Sequence, residues 1–271
     1  MSLTHVSSNS SDQEIPDQFA DEKFDEIPLK SITESGLIGD YTILTHIASG
    51  TFGHVYSAYG PDGLIVAVKI QKSGPMSDNE VLMMLELDHP NIVQCLEHFT
   101  IGNQWNVIVM PLADQESLFD LISDQMTERE MAFIVKHILL GLHHMEQKEV
   151  VWLDLKPENI LIRNGFPMIS DMGLACKYED LPKQGCYVGS DYFKAPEIRT
   201  IGAPHPRSDI WSLGATMYTM ITQLMPEQYV AIPRNASLEL KHFLIMALTE
   251  DPERRPNAYK LLHHPWLRQV Q

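Results

Sequence analysis

The chain is 271 residues long, 44% apolar, with a formal net charge of -16 at pH 7. That length suits one large domain or two lobes around a cleft, and the apolar share is ordinary for a buried core. The negative charge argues against sequence-independent binding to nucleic acid or to an anionic membrane, and it favours basic partner segments. No apolar run of about 18 residues is present, so a transmembrane helix is not expected, and residues 1–40 lack the apolar core of a signal peptide. The sparse cysteines Cys95, Cys176 and Cys186 then read as reduced thiols of a cytoplasmic or nuclear protein. The glycosylation sequons at Asn9 and Asn235 are expected to be silent there.

Residues 1–40 are rich in Ser, Asp and Glu and read as a disordered acidic tail, because such a composition cannot offset the entropy of ordering. A solvated tail is favoured over a docking motif built on Phe19 and Phe24. From Tyr41 onward the texture changes. Strand patterns cover 41–47 and 55–59, with Gly50 and Gly53 in the turn between them. A turn at Gly60 to Gly63 precedes a strand over 64–70. Ser77 opens a short helix through Val81, Met84, Leu85 and Leu87, and His89, Pro90 and Asn91 break it. Strands are predicted over 92–99 and 105–110. After Pro111 the pattern is helical: 117–123, 127–148, 209–222, 237–249 and 258–262. Strands and helices in two segregated blocks predict an α+β protein of two lobes, not alternating βαβ units.

The chemistry concentrates in the second block. Asp154, Lys156 and Asn159 lie between apolar segments, and Asp171 precedes Gly173 downstream. Phosphoryl transfer needs these parts: a carboxylate to orient a hydroxyl, a cation for the moving group and oxygen ligands for magnesium. A lone loop aspartate making a turn would not account for Lys156 and Asn159 together. In the first block, Lys69 ends the apolar run Val66, Ala67, Val68.

In this order and spacing the motifs resemble the eukaryotic protein kinase family, serine/threonine type, over residues 41–267. The resemblance implies a two-lobed protein kinase fold: a mainly β N-lobe (41–110) with one short helix, a hinge (111–113) and a mainly α C-lobe (114–267). It implies ATP and Mg²⁺ as cofactors and a protein with a Ser or Thr acceptor as substrate. A partner site is expected at the short αC helix or the acidic tail. Ile47, Ala48, Gly50, Gly53 and Val55 match the glycine-rich loop over the nucleotide, with Ala48 where the family has its first glycine. Lys69 would hold the phosphates, fixed by Glu80, although Ser77 with Glu80 also fits a capping box. Ala67 and Met110 would line the adenine pocket with Met110 as gatekeeper, Ala113 would lie in the hinge, and Ser117 would stand near the ribose. Asp154 would take the acceptor proton, Lys156 would neutralise the transferred group, and Asn159 and Asp171 would hold Mg²⁺.

Several departures from the family pattern carry expectations of their own. Trp152, Leu153 and Asp154 replace His-Arg-Asp, and Asp171, Met172 and Gly173 replace Asp-Phe-Gly. Trp152 and Met172 would join Met84 and Cys95 in one buried stack, a large residue offsetting a slender one. Leu153 removes the arginine that docks a loop phosphate in the family. Ser190 would touch Asp154 and Lys156, Glu197 would pair with Arg255, and Asp209 would anchor the catalytic loop. Glu158 and the net charge favour basic residues near the acceptor, and Lys194 pulls the other way. The stretch between Thr222 and Ser237 is short for the family. The competing reading is a pseudokinase scaffold that binds nucleotide or partners without efficient transfer.

Overall fold

The computed structural model describes residues 36–50, 53–114, 117–123, 125–226 and 236–270. The tail up to residue 35 with Phe19 and Phe24, residues 227–235 of the shortened stretch, and both sequon asparagines lie outside them.

Strands β1 (Leu37–Ile38), β2 (Tyr41–Gly50), β3 (Gly53–Tyr59), β4 (Ile65–Lys72), β5 (Glu97–Ile101) and β6 (Trp105–Pro111) form one antiparallel sheet in the order β1-β2-β3-β4-β6-β5. Its edges meet. The Tyr41 hydroxyl donates to Glu97, and its ring stacks on Phe99 with centroids 6.3 Å apart, so the sheet is curled. Alternation along the strands divides two cores. Val66, Val68 and Ile70 of β4 and Trp105, Val107 and Val109 of β6 fill the inside of the curl. Ala67 of β4 and Ile108 and Met110 of β6 face the larger core behind the cleft.

β1 lies within the span predicted as tail; two residues carry too little pattern to mark a strand in the sequence. The predicted strand over 92–99 is a second correction. Ile92 instead bridges Ile169 and Val93 N–H donates to the Ile169 carbonyl at 2.8 Å, so this part of the run is drawn to the C-lobe.

Helix α1 (Pro75–Glu86) begins with proline at its first position, where no N–H is needed. Ser77 therefore lies inside the first turn and is not the cap that opens the helix. Its hydroxyl accepts from Gly74 N–H and donates to the Gly74 carbonyl, both at 2.9 Å. Glu80 is thereby released from capping.

The second lobe is built on α3 (Glu128–Gln147), preceded by the short α2 (Leu118–Leu121). Thr127 caps α3 reciprocally with Glu130. Helices α4 (Pro196–Ile201), α5 (Ser208–Thr222), α6 (Leu238–Ala247) and α7 (Ala258–Leu262) follow. Short antiparallel pairs carry the loops that face the cleft: β7 (Val150–Val151) with β10 (Cys176–Lys177), and β8 (Ile160–Arg163) with β9 (Phe166–Ile169). One apolar cluster runs through both lobes, from Val81 and Met84 of α1 to Met217 and Phe243. Trp152, Met84 and Met172 are buried in it and Cys95 packs against it, so the four residues expected to stack share one cluster.

Candidate active site

Residues 152–159 between β7 and β8 hold the clustered polar groups. Leu153 has φ 70°, a left-handed conformation costing a branched residue about 1–2 kcal/mol. Asp209 at the start of α5 offsets that cost. Its carboxylate accepts Trp152 N–H at 2.7 Å and Leu153 N–H at 2.8 Å. Burial pushes the Asp209 carboxyl up to about 6, against the pull of these two N–H groups. The expected anchor is therefore in place.

Held this way, Asp154 is almost fully buried and becomes the focus of four contacts. Lys156 Nζ lies 3.0 Å from its Oδ2. Asn159 Nδ2 donates to the Asp154 carbonyl at 3.0 Å and to Oδ2 at 2.7 Å. The Ser190 hydroxyl donates to Oδ1 at 2.8 Å and itself accepts from Lys156 at 2.8 Å. Both bonds of Asn159 use its nitrogen, which leaves the amide oxygen as an acceptor. Ser170 N–H and hydroxyl donate to the Asn159 carbonyl at 3.0 and 2.9 Å, which brings Asp171 beside Asn159. Asp171 is also left-handed, φ 59°, and the Trp152 indole N–H fixes its carbonyl at 2.8 Å. Trp152 thus fills the stack and ties the two acidic segments together.

Across the cleft, Lys69 Nζ bonds both oxygens of Glu80 at 2.6 and 2.8 Å and lies 3.5 Å from Asp171 Oδ1. Burial alone lowers the Lys69 pKa. Glu80 first and Asp171 second outweigh burial, so the Lys69 pKa lies above the ordinary value. Gln71 also donates to Glu80 at 2.9 Å. Gln71 and the next links add to the residues that the sequence motifs single out. Asn79 Nδ2 donates to the Ala175 carbonyl at 2.8 Å, and Lys177 pairs with Glu86 and donates to the Lys148 carbonyl at 3.0 Å. α1 is therefore tied to the segment after Asp171 from its middle and from its C-terminal end. Gln71 was legible, since it stands two residues from Lys69 on one strand face; the cross-chain links were not.

The remaining residues expected at a nucleotide divide by position. Val55, Ala67 and Met110 share one apolar cluster with Leu161. Ala48 pairs with Val55, and Gly50 with Gly53, in the β2–β3 register. Gly53 has φ +133°, and a side chain there would come within 2.3 Å of the Ile70 carbonyl, so only glycine fits. Ile47 is exposed and lies outside that cluster. Ala113 is half-buried just past β6. Ser117 is already engaged, its hydroxyl donating to Asp120 at 2.5 Å.

Glu197 and Arg255 form the expected buried pair, with Arg255 Nη1 and Nη2 at 2.8 and 2.9 Å from the two oxygens. Cys176 and Cys186 are free thiols, and burial pushes Cys176 up to about 11. His264 stacks on His242 with nitrogens 2.8 Å apart, a packing role. Among the described residues, no helix is long and apolar enough to cross a membrane.

The sequence profile described as "Protein kinase domain" matches residues 41–267. Similar proteins include "Mitogen-activated protein kinase kinase kinase kinase 3" of Mus musculus, 29% identical over 85% of this chain. "Serine/threonine-protein kinase SMU1" of Mycosarcoma maydis is 33% identical over 84%. "Cytokinesis protein sepH" of Aspergillus terreus is 28% identical over 98%. The matched segments span 29%, 34% and 21% of those proteins' own lengths.

Proposed function

The chain belongs to the protein kinase domain family and has its two-lobed α+β fold, and from that premise we propose that it transfers the γ-phosphoryl group of ATP to serine and threonine hydroxyls of proteins. The observation that carries this reading is the convergence of Lys156, Asn159 and Ser190 on the Asp154 carboxylate. In the transfer, the acceptor O–H gives its proton to Asp154. The acceptor oxygen forms a bond to the γ-phosphorus, the bond from that phosphorus to the β–γ bridging oxygen breaks, and ADP leaves. Lys156 neutralises charge on the group in transit. Lys69, oriented by Glu80 and Gln71, holds the nucleotide phosphates. The apolar surface of Val55, Ala67 and Met110 suits an adenine ring. The chemistry Mg²⁺ would supply here is charge neutralisation at the nucleotide phosphates. Asp171 and the amide oxygen of Asn159 are the hard oxygen donors that would hold it.

Leu153 supports a reading of regulation as well. Its side chain is buried in a cluster with Val151, Ala195, Ile198 and Trp211, against which Leu174, Tyr178, Leu181 and Val188 of the segment after Asp171 pack. That segment is held by apolar contacts at a position where the family's arginine would meet a phosphate. Control is then expected from the acidic tail, from a partner at α1 or from protein abundance.

The reading is tested by incubating the protein with Mg-ATP and a degenerate peptide library, read by mass spectrometry, with Asp171→Asn as control. Phosphate on Ser and Thr is expected. Dominant phosphotyrosine would overturn the acceptor assignment, and equal signals from wild type and control would overturn transfer itself.

A further inference from the structure

The C-terminal end of α3 holds two buried polar atoms that the transfer chemistry does not use. Among the described residues, His143 Nδ1 and Glu146 Oε2 have no hydrogen-bond partner. They belong to residues at i and i+3 of one helix, which share a face, and they approach each other to 3.6 Å. That separation is too long for a hydrogen bond. It is close to the spacing of two ligands on one metal ion. A tetrahedral Zn²⁺ with nitrogen and oxygen donors at about 2.1 Å holds them about 3.4 Å apart. The neighbouring His144 does not share the gap; its ring stacks on His89 with centroids 5.2 Å apart.

Both donors are held from outside the pair. The other oxygen of Glu146 accepts Ala258 N–H of α7 at 2.7 Å, which leaves Oε2 presented to His143. The His143 ring packs on Tyr259 with centroids 5.4 Å apart, and its Nε2 lies 3.3 Å from the Gln147 side-chain amide. A histidine that ligates through Nδ1 carries its proton on Nε2. The Gln147 amide, turned to present its oxygen, accepts that N–H, the kind of outer partner that fixes a ligating ring. The His143 and Glu146 side chains are 27% and 16% exposed, so the gap lies just under the surface, where an ion and its waters can enter. The local field favours a cation. After burial and its two N–H bonds, the next influence on the Asp209 carboxyl is the like charge of Glu146.

We propose that His143 and Glu146 form a binding site for Zn²⁺, or another divalent ion that takes nitrogen and oxygen donors, with water completing the coordination. An imidazole donor selects against Mg²⁺ and Ca²⁺, which take oxygen ligands, so this site is separate from the donors at Asp171 and Asn159. An ion bound here links α3 to the first turn of α7 through Glu146. It also relieves the like charge on Asp209, which anchors the loop of Asp154.

The test strips the whole chain of metal with a chelator and titrates it with Zn²⁺ in a calorimeter. Excess Mg²⁺ is present throughout, so that oxygen-only donors do not contribute. The same samples are melted with and without Zn²⁺. At a Zn²⁺ concentration about 100-fold above Kd, the wild-type melting temperature should rise by about 5–10 °C. His143→Phe keeps a ring on Tyr259, and Glu146→Gln keeps an acceptor for Ala258 N–H; each removes one ligand. Each should weaken Zn²⁺ at least about tenfold, the loss that even an outer partner of a ligand produces, and each should abolish the melting shift. His263→Ala, at an exposed histidine on the far side of Tyr259, should keep both. Either ligand variant, folded, decides by itself. No Zn²⁺ uptake by wild type overturns the proposal. So does an adventitious ion only, seen as uptake and a melting shift that survive in either ligand variant. A loss in His263→Ala equal to that in His143→Phe overturns the assignment as well. None of these outcomes bears on phosphoryl transfer.

Discussion

Glu197→Gln removes one charge from a buried pair in which every guanidinium donor is engaged. Arg255 is 0% exposed. Its Nε donates to the Thr249 carbonyl, Nη1 to Glu197 and the Arg207 carbonyl, and Nη2 to Glu197 and the Glu250 carbonyl. It also lies 5.5 Å over the Trp211 ring. Glutamine offers one acceptor where two are needed and turns an amide N–H₂ toward Nη2. Breaking a buried pair by removing one partner costs about 3–5 kcal/mol, or roughly 6–20 °C in melting temperature for a domain of this size. The effect has a pH signature. Burial raises the Glu197 carboxyl, but Arg255 outweighs it and holds it below the ordinary 4.5. The pair's contribution is therefore complete above that value and is lost as pH falls through the lower folded-state value. Denaturant melts at pH 7 should show the full gap between wild type and variant, and the gap should narrow as pH falls below about 4.5. A loss under about 1 kcal/mol at pH 7, the level of an exposed pair, would refute the buried-pair account.

Two further outcomes follow from the cleft. Phosphatase treatment should leave the rate on one peptide nearly unchanged, because Leu153 packs in an apolar cluster where a phosphate-docking arginine would otherwise stand; a fall of tenfold or more, about 1.4 kcal/mol in barrier, would mean another basic group docks a loop phosphate. Asn79→Ala removes a tie between α1 and the Ala175 carbonyl and should cut kcat by about 2- to 10-fold, the effect of one hydrogen bond of about 0.5–1.5 kcal/mol; an unchanged kcat would show that the Lys69–Glu80 pair needs no support from that segment.

The site was more legible in the sequence than the elements that carry it. Asp154, Lys156 and Asn159 are close in the chain, so their spacing alone restricts them to one loop. Lys69 ends an alternating strand, so its face is fixed by period. Glu80 was ambiguous because Ser77 offered it a local partner; only the proline start of α1, which draws Ser77 back onto Gly74, resolves the choice. Local pattern misplaced the strand at Ile92 because a run of β-type residues does not say which lobe it pairs with. The double role of Trp152, filler and donor to Asp171, was invisible for the same reason: its partner lies in another segment. Ser117 looked available as a hydroxyl until the fold showed Asp120 holding it.

The central claim is that Asp154 acts on the acceptor and not on the nucleotide. It is tested most directly by measuring phosphoryl transfer and ATP binding side by side for wild type and Asp154→Asn. Asparagine keeps the shape and can still meet Ser190, but it cannot take the acceptor proton. The account predicts transfer reduced to background with ATP affinity within about twofold of wild type, well under 1 kcal/mol. Wild-type transfer no faster than that of Asp154→Asn would contradict it and leave a nucleotide-binding scaffold.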